Sequence, residues 1–183
     1  MSVRNVVLMV TLMLGACGAQ TRLLDEVDTG GGVTHIKPQK PLTFVAKQPG
    51  YAVPGADYVF VAPVGVSRRG RLKHYLWLGA RSTVDRKFIG VSAPTVDSII
   101  VVADEQPIQL DLEPWATASE APAFTPGLFV TDTLAARVTT SQLNWLAKAA
   151  RVSIVLVDSN GRETRFDVDE DTRALFGAFS GSQ

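Results

Sequence analysis

The sequence predicts a mainly β domain: a single β-sandwich or barrel-like fold with one or two short helices near the C-terminus. Three observations predict it. Short runs rich in β-branched and aromatic residues recur between Pro, Gly and Asx turn signals. One of them, "PIQLDLE" (107–113), alternates apolar and polar side chains without a break. Near the end, two further runs flank an Asn-Gly pair, the strongest short hairpin signal.

The chain opens on a targeting segment. Arg4 and the initiator amine precede the apolar run "VVLMVTLML" (6–14), followed by Gly15, Ala16 and the single cysteine, Cys17. A helix needs about 20 apolar residues to span a bilayer core, so this run has the size of a secretory signal rather than an anchor. "LGAC" (Leu14 to Cys17) resembles the lipobox of bacterial lipoproteins, with every position matching. The resemblance implies cleavage after residue 16, a diacylglycerol thioether on Cys17 and acylation of its new amine. A lone free thiol in an oxidising compartment is a liability, which acylation removes. Three acyl chains make attachment effectively permanent, at about 0.8 kcal/mol per buried methylene. The class also sorts by the next residue: aspartate favours inner-membrane retention, whereas here Gly18 implies the outer membrane, facing the periplasm.

Residues 17–40 are expected to form a lipidated tether. They show no sustained period and contain three successive glycines. A flexible segment of that length spans about 25–30 Å. His35 falls in this stretch and receives no role. Residues 41–183 are then one globular domain, long enough to bury its own core without disulfides.

Within it, "LTFVA" (42–46), "YVFVAPVGV" (58–66), "FIGV" (88–91) and "SIIVVA" (98–103) read as strands. "YLWLGAR" (75–81) places Tyr75 and Trp77 on one face and Leu76 and Leu78 on the other, as in a strand buried on both sides. In "PIQLDLE", Ile108, Leu110 and Leu112 point inward. "TTSQLNWLAKAA" reads as a helix capped by Thr140 or Ser141, with Leu143, Leu146, Ala147 and Ala150 on its apolar face. "VSIVLV" and "RETRFDV" make the Asn160-Gly161 hairpin, with Thr164, Phe166 and Val168 facing the core. "DTRALFGAF" closes the chain as a helical turn. The closing order of helix, strand, Asn-Gly turn, strand and apolar end resembles the end of invasion-associated locus B proteins, periplasmic β-rich proteins of bacteria. It carries no distinctive motif, and no residue or function is transferred.

Composition excludes some function classes. Basic and acidic residues balance, 18 against 18, so no global basic excess favours nucleic acid. There is no G-x-S-x-G elbow, phosphate-binding glycine loop or H-E-x-x-H motif. His74 is the one histidine assigned to the fold, and nothing local marks a partner serine. Two scattered histidines and no free thiol disfavour zinc. Asp167, Asp169 and Asp171 have calcium-loop spacing, but Thr172 and Ala178 stand where such a loop needs glycine and glutamate. Acidic residues at a helix start explain the run as well. No catalytic residue, cofactor or metal ligand is therefore assigned.

Two features mark a candidate partner surface. "RRGRLKH" crowds Arg68, Arg69, Arg71 and Lys73 at a turn, while residues 96–122 carry only acidic charge. Trp145, beside Lys148, projects away from the helical Leu143/Leu146 stripe, and tryptophan is enriched at binding hot spots. The expected function is a non-enzymatic, membrane-anchored lipoprotein that binds another envelope protein as an accessory or assembly factor. The alternative is a receptor for a small envelope ligand such as a glycan fragment, stacking on Trp77, Trp115 or Trp145; an envelope hydrolase is third.

Overall fold

The computed structural model describes residues 24–47, 56–82, 96–124, 132–168 and 171–180. The signal segment, Cys17 and the expected strand at 88–91 lie outside them. The strands are β1 (Leu24–Asp28), β2 (Val33–Pro38), β3 (Leu42–Lys47), β4 (Ala56–Arg68), β5 (Arg71–Ser82), β6 (Val96–Ala103), β7 (Gln106–Pro114), β8 (Asp132–Val138), β9 (Val152–Asp158) and β10 (Glu163–Asp167). Helices α1 (Trp115–Ala118), α2 (Thr140–Lys148) and α3 (Arg173–Ser180) complete the fold.

Eight strands close a ring, in the order β3-β4-β5-β8-β7-β6-β9-β10 and back to β3, every neighbour antiparallel. The domain is therefore a closed barrel rather than two stacked sheets, and closure removes the exposed edges that an open sheet presents. The seven strands read from the sequence within the described residues all form, with boundaries moved by a few residues.

The interior follows the pleat. Phe44, Val59, Val61, Leu76, Leu78, Ile99, Val101, Ile154 and Phe166 belong to one buried cluster, as expected for a small barrel filled by its own side chains. Leu110 joins it, with Ile108 and Leu112 packed against it. Leu143 and Leu146 of α2 and Phe176 and Phe179 of α3 extend the same cluster, so the two helices act as a plug. They sit at the end where β8 stops and β5 starts: Val138 pairs with His74, whose ring meets Phe179 edge-on at 5.6 Å. Gly65 permits this plug, because a Cβ there would lie 3.0 Å from Leu72 and 3.4 Å from Phe179.

A second cluster lies on the outside of β4 and β5. Phe60, Val64, Val66, Tyr75 and Trp77 are buried there beneath Trp115, Ala118 and Ala123. The central strands are thus buried on both faces, as the alternation of Tyr75/Trp77 with Leu76/Leu78 predicted.

Four local expectations are corrected. Residues 24–40 are not tether: they form the β1–β2 hairpin, and Val33–Ile36 pair with Gly65–Arg68 of β4. The helix cap is Thr139, whose side chain accepts from the Gln142 amide while Gln142 reaches back, a full capping box. The helix then ends at Lys148, so Ala149 is buried and Ala150 is exposed. In the β9–β10 turn only Gly161 takes positive φ (76°); Asp158 accepts from Gly161 and donates to Arg162, giving a three-residue loop with a glycine bulge.

Pro63, unable to donate an N–H, sits where β4 changes neighbours. Its pairing with β3 ends at Val61, and its pairing with β2 begins at Gly65. The hairpin is consequently an appendage on the ring, held to it by a four-residue ladder.

Candidate functional site

Arg68 and Arg71 face each other across the β4–β5 turn, joined by Arg69 (φ 51°) and Gly70 (φ 74°). Two positive φ angles define the tight hairpin turn whose twist suits antiparallel strands. Arg69 is a poor residue for that geometry, since its Cβ crowds the backbone. Like charges directly opposite one another are also unfavourable. Local stability therefore does not explain these residues.

They form one wall of a cleft of about 1020 Å³. Lys73 extends that wall, the β1–β2 turn (Thr29–Gly31) faces it, and residues 117–121 line the remainder. Among the described residues, none of the four cations forms an ion pair. The hydroxyl of Tyr75, which also lines the cleft, has its pKa raised by burial and by Glu113, with Arg137 and Arg68 opposing, and stays neutral.

A second groove, about 930 Å³, has similar size but spent charges. Arg165 pairs with Asp167 at 3.2 Å and Arg173 with Asp171 at 2.9 Å. The Arg173 hydrogen bonds hold Asp171 down to about 2. Asp104 accepts from the Ala150 and Arg151 amides, tying the β6–β7 turn to the exit of α2. Asp169 lies outside the described residues. Among the described residues, no three metal-ligating side chains cluster together.

The candidate residues do not converge. Arg68, Arg69, Arg71 and Lys73 share the cleft, whereas Trp145 and Lys148 do not line it. Trp145 is half-buried and packed against the interior cluster, so much of its ring is committed to the plug. Trp77 and Trp115 are buried in the outer cluster and offer no stacking platform. His74 is partly buried against Phe179, and burial lowers its pKa.

The sequence reading missed His35. It is 1% exposed, and its Nε2 lies 2.8 Å from Ser119 Oγ. Its ring meets Trp115 edge-on at 5.7 Å, and Trp115 Nε1 donates to Ala121 O. The distance fits a base and a nucleophile, but the surroundings do not complete one. His35 Nδ1 is buried with no partner, so no carboxylate orients the ring, and the Ala121 amide already donates to Ser119 Oγ. The pair is a clasp. The signal for it was the glycine turn in "LDEVDTGGGVTHIKP", with β-branched residues on either side.

No family model, curated protein or solved structure matches the chain.

Proposed function

We propose that the protein is a lipid-anchored envelope lipoprotein, attached through acyl chains on Cys17 at the outer membrane and facing the periplasm. Its barrel binds another envelope protein as a non-enzymatic accessory. The partner presents an acidic segment to the cleft between the two hairpins. One observation carries this reading: three arginines and a lysine share one cleft wall without an ion pair among the described residues, in a geometry that folding alone disfavours. Guanidinium groups suit carboxylates because their donors form a planar fork. No helix among the described residues is long and apolar enough to cross a membrane, and the lipid supplies the attachment in this proposal. Of the three tryptophans of the glycan-receptor alternative, Trp77 and Trp115 are buried, and half-buried Trp145 lies outside the cleft.

The test places a photo-crosslinking residue at Thr117, an exposed position that lines the cleft, in the full chain in its native host. The expected product is one defined envelope protein, joined through an acidic segment and lost in Arg69→Glu/Arg71→Glu. Unchanged capture by the charge-reversed chain overturns the proposal. So does crosslinking to lipid alone.

A further inference from the structure

We infer that His35 is a pH-sensitive latch: it holds the β1–β2 hairpin against the segment after α1, and protonation of its ring frees the hairpin and widens the basic cleft. The inference deepens the partner-binding proposal, by adding regulation to the same site.

Leu24 and Ile36 pack the hairpin on the interior cluster, Val33 on the outer cluster, and Lys37 sits over Phe124; two further attachments bear on the latch. One is the short ladder from Val33–Ile36 to β4. The other is His35 itself, hydrogen-bonded to Ser119 and set edge-on against Trp115. Ser119 and Ala121 line the cleft on one side, and Thr29 to Gly31 line it from the hairpin. Movement of the hairpin away from residues 115–121 therefore changes the width of the cleft directly.

The surroundings of the ring suit only its neutral form. In the neutral imidazole with its proton on Nε2, that N–H donates to Ser119 Oγ, already the acceptor of the Ala121 amide, and Nδ1 is left as a bare lone pair. Proton uptake makes both nitrogens donors, and Nδ1 has no acceptor inside the fold. The charged and titratable groups on the elements around the ring are Lys37 on β2, Asp25, Glu26 and Asp28 on β1, Arg68 on β4, Lys73 and Tyr75 on β5, and Glu120 after α1. None of them hydrogen-bonds the ring. Lys37 is held over the Phe124 ring at 4.6 Å and adds positive charge nearby. A buried charge with an unpartnered donor is costly, and the cost disappears when the ring reaches water. Burial and Lys37 both lower the pKa of His35, in agreement with this geometry.

Amide hydrogen exchange on the full chain in detergent micelles tests the latch. As pH falls from about 7.5 to about 5, across the range where histidine takes up a proton, residues 33–36 and 119–121 are expected to lose amide protection. Strands β6 and β9 are expected to keep theirs. His35→Gln, which retains a group able to bond Ser119 but does not titrate there, is expected to lose the response. Histidine-ring NMR on the wild type gives a readout independent of that variant. A ring that protonates while the hairpin stays protected overturns the latch, as does equal loss of protection in His35→Gln. Charge reversal at Arg69 and Arg71 leaves the exchange response intact, so failure of the partner proposal remains distinguishable.

Discussion

His35 Nε2 lies 2.8 Å from Ser119 Oγ, joining residues 84 positions apart and sealing the appended hairpin to the barrel wall. Replacing Ser119 by Ala removes the partner and leaves a second buried ring nitrogen unsatisfied. The expected cost is about 1–3 kcal/mol, the desolvation penalty of an unpaired polar group. Urea unfolding of the variant measures it.

Stability is expected to fall in mild acid. Both His35 and His74 have folded pKa values below the ordinary 6.5, chiefly through burial. The unfolded chain therefore binds more protons between the folded and unfolded values, and stability rises with pH across that window. It is fully present above about 6.5 and declines as pH drops below it. Denaturation midpoints across a pH series read this decline, and His35→Gln is expected to flatten part of it.

The helical plug is expected to be sensitive to truncation. Leu143 is fully buried in the interior cluster, so Leu143→Ala costs about 2–5 kcal/mol through lost transfer energy and a cavity. Thr139→Ala, which removes one half of the capping box, costs about 1 kcal/mol. Thermal unfolding of the two variants ranks them.

Asp104 holds the β6–β7 turn to the exit of α2 through two backbone amides. Its φ of 47° and the 70° of Glu105 are unusual for residues with a Cβ. Asp104→Ala is expected to destabilise by about 1–3 kcal/mol, because hydrogen bonds to a charged acceptor are lost while the backbone strain remains. Asp104→Gly loses the same bonds but relieves the strain, so it is expected to be the milder change in the same assay.

Cys17→Ser is expected to leave the precursor uncut and unlipidated. Metabolic labelling with a clickable fatty acid, followed by intact-mass measurement, checks it. Normal processing of the variant would contradict the lipobox assignment.

The sequence by itself determined most strands, the C-terminal helices and the basic turn. These follow from short-range patterns: alternation at 107–113, β-branched runs bounded by turn residues, a threonine-led helix start, and Gly70 or Gly161 at positions of positive φ. Only the tertiary structure decided the rest. Residues Asp132–Val138 contain "TLAAR", good helix formers, yet they are β8 because β5 and β7 each offer an edge to pair with. The segment around the three glycines looked like tether because each hairpin strand is short; its order comes from β4 and from Ser119, distant in sequence. Trp145 looked free on a helical wheel, but the wheel does not include the barrel end that the helix closes. Periodicity reports which face of an element is apolar. What that face meets, and so which polar groups such as His35 find a partner, depends on chain closure over long distances, and that is where the proposed latch resides.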